Sequence, residues 1–306
     1  MSYHSIVLVK QVPDTANVTA DAMKDDGTVN RAALPTIFNP EDLHALEAAL
    51  ELKDRFGGSV TVISMGPPKA ADVLRDCLFR GADRAILISD RRAAASDTLA
   101  TSYILSQAVK TVGNYDFVFC GRQAIDGDTA QVGPQCAEKL GISQVTYLEK
   151  IIDVKDKTAT LRRNIGNGWE EVRTNLPVLI TVIESANEPR PWGAIRMMKN
   201  KKKKVELEVA GEVRTELSAA GKADDAVQAE TARRVAELKA KGALLEQWGL
   251  DEIGAAPDRC GLSGSPTKVF RIQAIVLKKE GFTEIQATKE GISQLIHELV
   301  VDRTLG

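Results

Sequence analysis

Gly121-Arg122-Gln123-Ala124-Ile125-Asp126-Gly127-Asp128-Thr129-Ala130-Gln131-Val132-Gly133 is the stretch on which the reading of this chain turns. It follows Phe117-Val118-Phe119-Cys120, a short apolar run of the kind that forms a buried parallel strand. It precedes Pro134 to Leu140, which reads as a helix. A polar, glycine-punctuated loop therefore joins the carboxyl end of a strand to the amino end of a helix. In open α/β sheets ligands bind at such junctions. Free N–H groups and the helix dipole favour an anion there, commonly a phosphate. Taken alone, the loop is also compatible with an ordinary βα turn.

Working outward, strands and helices alternate. Ile6 to Val9 reads as a strand. Asn39-Pro40 opens a helix whose Leu43, Leu46, Ala49, Leu50 and Phe56 recur at helical spacing, and Gly57-Gly58 ends it. Val60 to Met65 is a second strand, Ala70 to Arg80 a helix stopped by Gly81, and Ala85 to Ile88 a third strand. Ser96-Asp97-Thr98 caps a helix running to about Val112. Leu148 to Val154 and Thr158 to Asn164 pair around a turn at Asp156-Lys157, and Pro177 to Ile183 is a final buried strand. Repeated βα units with short connections predict an α/β fold, a doubly wound parallel sheet of the Rossmann-like, nucleotide-binding kind, over residues 1–190.

Composition changes after Glu188-Pro189-Arg190-Pro191. Lys199-Asn200-Lys201-Lys202-Lys203-Lys204 is strongly basic, and residues 205–260 are rich in Ala, Glu and Lys, with one helix expected from Asp225 to Leu245. So few apolar residues cannot form an independent core, so residues 191–306 read as an extended C-terminal arm needing a partner surface. Trp192, Ile195, Met197 and Met198 place an apolar cluster on a predicted loop ahead of the basic run. Val269 to Leu277 fits a strand, and Lys289 to Val301 an amphipathic helix.

Lys plus Arg is 40 and Asp plus Glu is 42 in 306 residues, so the net charge is −2. A nucleic-acid scaffold would carry a large basic surplus. No apolar run approaches the roughly 20 residues that span a bilayer. The opening Met1-Ser2-Tyr3-His4 lacks a basic n-region, and the expectation is a cytoplasmic protein. Cys77, Cys120, Cys136 and Cys260 form no CxxC pair, which excludes the common zinc and iron–sulfur spacings. The three histidines are widely separated and suit packing better than catalysis.

Chemistry concentrates at the βα junctions. Lys10 to Asp14 follows strand one, with Asn39-Pro40-Glu41-Asp42 returning nearby; Ser64-Met65-Gly66-Pro67-Pro68 follows strand two; the Gly121 loop is the third. Ser96-Asp97-Thr98-Leu99-Ala100-Thr101-Ser102 begins the next helix with hydroxyls that suit a second phosphate, although Asp97 also reads as a plain N-cap. Two anion sites on adjacent helix starts fit a diphosphate. Asp126 and Asp128 lack a neighbouring nucleophile or base, so loop-rigidifying or ribose-binding roles fit them better than acid/base or Mg²⁺ chemistry.

Val9-Lys10-Gln11-Val12-Pro13-Asp14, Asn39-Pro40-Glu41-Asp42, Gly81-Ala82-Asp83-Arg84-Ala85, Gly121 to Asp128, Leu176 to Val182 and the Asn187-Glu188-Pro189-Arg190…Met198-Lys199…Lys204 arm occur in that order. In this combination the chain resembles the β subunit of an electron-transfer flavoprotein. It departs from the family in a longer tail after Lys268 and in Arg163 to Trp169, which lacks an acidic pair. The resemblance implies an adenine nucleotide bound by Leu8, by Asn39, Pro40, Glu41 and Asp42, by Met65 and Gly66, and by Gly121, Arg122, Gln123, Ala124, Ile125, Asp126, Gly127, Asp128, Thr129, Ala130, Gln131 and Val132. In conventional members the ligand is a structural AMP. In electron-bifurcating members it is FAD, which takes a hydride from NADH. Asp97, Thr98, Ala100, Thr101 and Ser102 resemble the additional segment of the FAD-binding group.

The expected function is thus a bifurcating β subunit. Its implied partners are an α subunit carrying a second FAD, an acyl-CoA dehydrogenase-like flavoenzyme, and ferredoxin or flavodoxin. The resemblance assigns the basic arm to the α subunit and the Trp192 segment to the dehydrogenase. A conventional AMP-binding carrier subunit is the alternative. A non-redox nucleotide-binding module is the third, and it would need neither arm nor apolar segment.

Overall fold

Among the described residues nine strands form one sheet, in the order β11-β5-β4-β1-β6-β10-β7-β8-β9. The structure is a computed structural model describing residues 2–14, 34–219, 223–267 and 284–301. Its parallel part comprises β1 (Tyr3–Leu8), β4 (Gly58–Met65), β5 (Arg84–Ile88), β6 (Phe117–Gly121), β10 (Val178–Val182), the start of β7 (Ser143–Lys155) and the short β11 (Glu246–Trp248). The remainder of β7 continues antiparallel into β8 (Thr158–Asn164) and β9 (Trp169–Asn175). A separate antiparallel pair joins β2 (Gln11–Pro13) to β3 (Thr36–Phe38).

The parallel strands are apolar throughout because both faces are covered. Alternation decides which helix layer each residue meets. Phe117 and Phe119 of β6 and Val178, Ile180 and Val182 of β10 share a core with α1 (Pro40–Phe56) and α2 (Ala71–Arg80). Val118, Cys120 and Leu179 face the other way, onto α3 (Thr98–Val112) and α4 (Val132–Leu140). Burying each such large side chain contributes about 1.5–3 kcal/mol. The doubly wound α/β fold expected from the sequence is the one observed.

From β1 the chain builds outward through β4 to β5 and then returns to place β6 on the other side of β1. The winding direction reverses between β1 and β6. The two following loops, starting at Val9 and Arg122, diverge at that point and leave a crevice at the carboxyl edge.

Several elements differ from the sequence expectation. Residues 205–245 hold two helices, α6 (Glu206–Ala219) and α7 (Asp224–Ala240), not one. Val209 and Val213 bury themselves against Val227, and Arg234 bridges Glu216 and Glu230, so the pair shares a small core that neither helix has alone. The apolar residues after Trp192 lie on the short helix α5 (Ala194–Asn200), not a loop. The strand β9 has the polar sequence WEEVRTN and little apolar alternation; it forms by completing a meander at the sheet edge. After α7 the chain returns to the sheet, where β11 pairs with β5 and Leu250, Ile253 and Cys260 enter the α3 core. The strand expected at Val269 to Leu277 lies outside the described residues. The terminal α8 (Lys289–Val301) is formed.

A candidate nucleotide cleft at the sheet switch point

The loop after β6 is fastened to the start of α1 by carboxylates. Asp42 is buried, and its two oxygens accept the N–H of Lys10 at 2.8 Å and of Gly121 at 2.9 Å. One side chain thereby ties the ends of β1 and β6 together across the switch. Burial pushes the Asp42 carboxyl up to about 7, against the opposing effect of those hydrogen bonds. Glu41, also buried, accepts Arg122 Nη2 at 2.5 Å and the N–H of Gln123 at 2.8 Å. Asn39 donates to the Gln123 carbonyl at 2.9 Å and accepts the Ile125 N–H at 3.1 Å. Gly121 is required here because a Cβ would stand 2.7 Å from atoms of Glu41 and Asp42.

The outer part of the loop is held less tightly. Lys10 Nζ pairs with Asp126 at 2.7 Å, and Gln123 donates to Asp128 at 3.0 Å. Asp128 and Ala130 adopt positive φ of 47° and 51°, bending the chain toward α4. Gly133, in the first turn of α4, would bring a Cβ to 2.8 Å from Cys120 Sγ, so the helix start sits directly on the sheet. Asp97 accepts the Ala100 N–H at 2.9 Å and so caps α3, as the plain reading of the sequence had it. Thr98 donates to Gln131 at 2.9 Å, linking the starts of α3 and α4.

These elements enclose a cleft of 1330 Å³. Of the residues picked out from the sequence, Leu8, Asp42, Met65, Gly66, Asp97, Thr98, Thr101 and most of Gly121 to Val132 line it. Asn39, Pro40, Ala100, Ser102, Ile125 and Asp128 do not; Glu41 lies against a neighbouring cavity of 810 Å³ that shares Arg122 with the cleft. Ser102 is fully buried, and its hydroxyl donates to the Leu99 carbonyl at 2.8 Å and to Gln135 at 3.1 Å, within the α3–α4 contact. Cleft residues not expected from sequence include Ser89, Asp90, Arg91, Ala93 to Ala95 and, from α6, Leu207, Ala210, Gly211 and Arg214. The α6 contribution had no local signal, because Arg214 stands 86 positions after Asp128 in the chain.

The lining suits a nucleotide-type ligand. Apolar Leu8, Met65, Ile88, Leu105 and Val132 form a floor, the loop backbone lies beside it, and Arg122 Nε is buried with no hydrogen-bond partner among the described residues. A volume of 1330 Å³ exceeds the roughly 300–1,000 Å³ typical of small-ligand pockets. The four cysteines are all buried and free, and burial raises the Cys77 and Cys120 thiols well above their ordinary range. No group of metal-ligating side chains occurs among the described residues. Among them, too, no helix is long and apolar enough to cross a membrane.

Fold and cleft define the class: a doubly wound α/β protein with a large crevice at its switch point, lined mainly by apolar side chains and bordered by polar loop and helix-start groups. Comparison with known proteins narrows this. Residues 26–212 match the Electron transfer flavoprotein domain. The chain is 39% identical over 304 residues to Protein FixA of Sinorhizobium fredii, covering 97% of this chain and 92% of the relative. It is 39% identical over 294 residues to the Electron transfer flavoprotein subunit beta of Clostridium acetobutylicum, covering 96% of each. It is 40% identical over 267 residues to the Caffeyl-CoA reductase-Etf complex subunit CarD of Acetobacterium woodii, covering 87% of this chain and 86% of the relative. The chain belongs to the electron transfer flavoprotein family and is a beta-subunit member of it.

Proposed function

We propose that this chain binds FAD in the switch-point cleft and works as the β subunit of an electron-bifurcating electron-transfer flavoprotein. The observation that carries the reading is the size and lining of the cleft: 1330 Å³, bordered both by the Gly121 loop and by Thr98 and Thr101 at the start of α3. A mononucleotide needs only one of those two helix starts. Bound there, FAD supplies hydride acceptance from NADH and single-electron delivery to ferredoxin or flavodoxin and to a second flavin. The chain's own residues bind and orient. The loop N–H groups and the α3 hydroxyls take the diphosphate. Met65 and Leu105 would offer apolar surface to its ring systems, and the Asp42 clasp holds the ends of β1 and β6 in register. Domain 1–190 holds the nucleotide. Residues 191–306 meet an α subunit that carries the second FAD.

The apolar patch at Trp192, Ile195 and Met198 takes the dehydrogenase. Ile195 is 87% exposed, an unusual exposure for isoleucine. The name of the relative CarD supports a CoA-ester oxidoreductase as that partner.

A second reading, AMP in place of FAD, is favoured by one observation. Asp97 already caps α3, Thr98 donates to Gln131 and Ser102 is turned into the α3–α4 contact, so three of the groups expected at a second phosphate have partners within the chain. Flavin and AMP content of the purified heterodimer decides. Two FAD per heterodimer supports bifurcation; one FAD plus one AMP supports the conventional carrier.

A further inference from the structure

Nearly every charged side chain lining the cleft is already committed to a partner within the chain. Lys10 pairs with Asp126, and Arg122 with Glu41. Asp90 pairs with Arg92, Asp97 caps α3, and Asp42 holds the two strand ends. Two cations differ. Arg91, in the 3-10 turn after β5, and Arg214, in the middle of α6, both line the cleft, are exposed, and have no ion pair among the described residues.

The helix that brings Arg214 divides its surface between two tasks. Val209 and Val213 face α7. Leu207, Ala210, Gly211 and Arg214 fall at intervals of three and four residues, one stripe of a helix, and all four line the cleft. Ala210 and Gly211 lack bulk, so a flat or extended ligand can lie against this stripe and reach the guanidinium beyond it.

We propose that Arg91 and Arg214 form the phosphate clamp for the pyridine dinucleotide in the cleft, distinct from the Gly121 loop that holds the resident cofactor. The inference rests on the FAD reading above. Two guanidinium groups match a diphosphate, since each offers a planar fork to phosphate oxygens. Their exposure suits a substrate that arrives and leaves with every turnover, whereas the resident nucleotide is assigned to the backbone N–H groups of the Gly121 loop. Exposed cations also raise the rate of anion capture, in a salt-dependent way.

The test is binding of ADP-ribose, the diphosphate half of NADH, to the flavin-loaded heterodimer by calorimetry, with flavin content measured in parallel. Arg214→Gln and Arg91→Gln should each weaken binding roughly tenfold or more, with flavin content unchanged, and the double variant should also lose the salt dependence of flavin reduction by NADH. Arg214→Lys should restore only part of the affinity. Unchanged ADP-ribose affinity in the double variant, with flavin intact, overturns the clamp and leaves the FAD reading standing. Loss of flavin from the double variant also overturns it, since the arginines would then serve the resident cofactor. A wild-type complex that carries AMP here, yet binds ADP-ribose in an arginine-dependent way, supports the clamp and overturns the FAD reading.

Discussion

The carboxyl edge of the parallel sheet and the segment from Trp192 to Ala240 are built on opposite terms. At the sheet edge the polar groups are buried and paired: Asp42 and Glu41 are 6% and 3% exposed and between them hold three backbone N–H groups and an arginine. In the later segment the ion pairs are at the surface, such as Arg233–Glu230, and the large apolar side chains Trp192, Ile195 and Met198 face solvent. Buried hydrogen-bonded charge fixes geometry and is costly to disturb. Exposed pairs contribute about 0–1 kcal/mol each. The first region therefore reads as a preformed site and the second as a surface whose energetics are completed by another molecule.

The contrast is attacked most directly at Gly121. Gly121→Ala places a methyl 2.7 Å from Glu41 and Asp42, backbone included, so the clasp must open. Overpacking of this kind costs about 1–3 kcal/mol. The expected outcome is a lower denaturation midpoint together with loss of bound nucleotide. A variant with wild-type midpoint and full nucleotide content would show that the edge is not rigid.

Asp42 gives the next largest effect. Burial raises its carboxyl to about 7, so between an unfolded value near 4 and pH 7 the folded state holds the proton more tightly. The contribution is fully present below about pH 4 and is lost as pH rises through about 7, an effect on the order of a few kcal/mol. Unfolding free energy measured from pH 5 to pH 8 should fall for the wild type, with Asp42→Asn showing a shallower fall. Equal slopes in the two proteins would remove Asp42 as the source.

The hydroxyls of α3 separate two roles that the sequence could not tell apart. Thr98→Ala should weaken FAD retention by about 1.5–3 kcal/mol if its hydroxyl meets a charged phosphate. Ser102→Ala should leave flavin content unchanged and cost about 1 kcal/mol of stability, because its hydroxyl bonds Leu99 and Gln135. Flavin loss on gel filtration of the Ser102 variant, or none in the Thr98 variant, reverses this assignment.

Ser102 shows where sequence reading stops. The helix start Ser96 to Ser102 was legible from its capping residues, and the strands from apolar runs that the two helix layers require. Which hydroxyl turns toward the cleft depends on the crossing of α3 and α4, a tertiary fact. The same holds for Arg214. Its helix is rich in Glu, and its packing over the 3-10 turn Pro68–Ala70 together with the Arg75–Glu208 ion pair brings it to the crevice. The strand β11 is three residues long and takes its structure from β5, so no local pattern marks it. By contrast the Gly121 loop was readable because its constraints are local: a strand before it, a helix after it, and glycines where the backbone has no room.

The smallest effect on the fold is expected at the apolar patch, and there the contrast is sharpest. Trp192 packs edge-on against Phe79, with centroids 5.7 Å apart, and its indole N–H donates to Asp76 at 2.9 Å. That leaves its outer half exposed beside Ile195. Ile195→Ala removes a side chain that is 87% exposed, so stability should change by less than about 0.5 kcal/mol. Trp192→Ala forfeits the Phe79 contact and should cost about 1 kcal/mol. Neither change touches the cleft, so flavin content and reduction by NADH should hold in the double variant. Electron delivery to the proposed dehydrogenase partner should fall steeply, because exposed aromatic anchors become the centre of an interface when a partner covers them. Normal delivery in the double variant would mean that the patch has some other use, and loss of flavin would mean that the two regions are coupled after all.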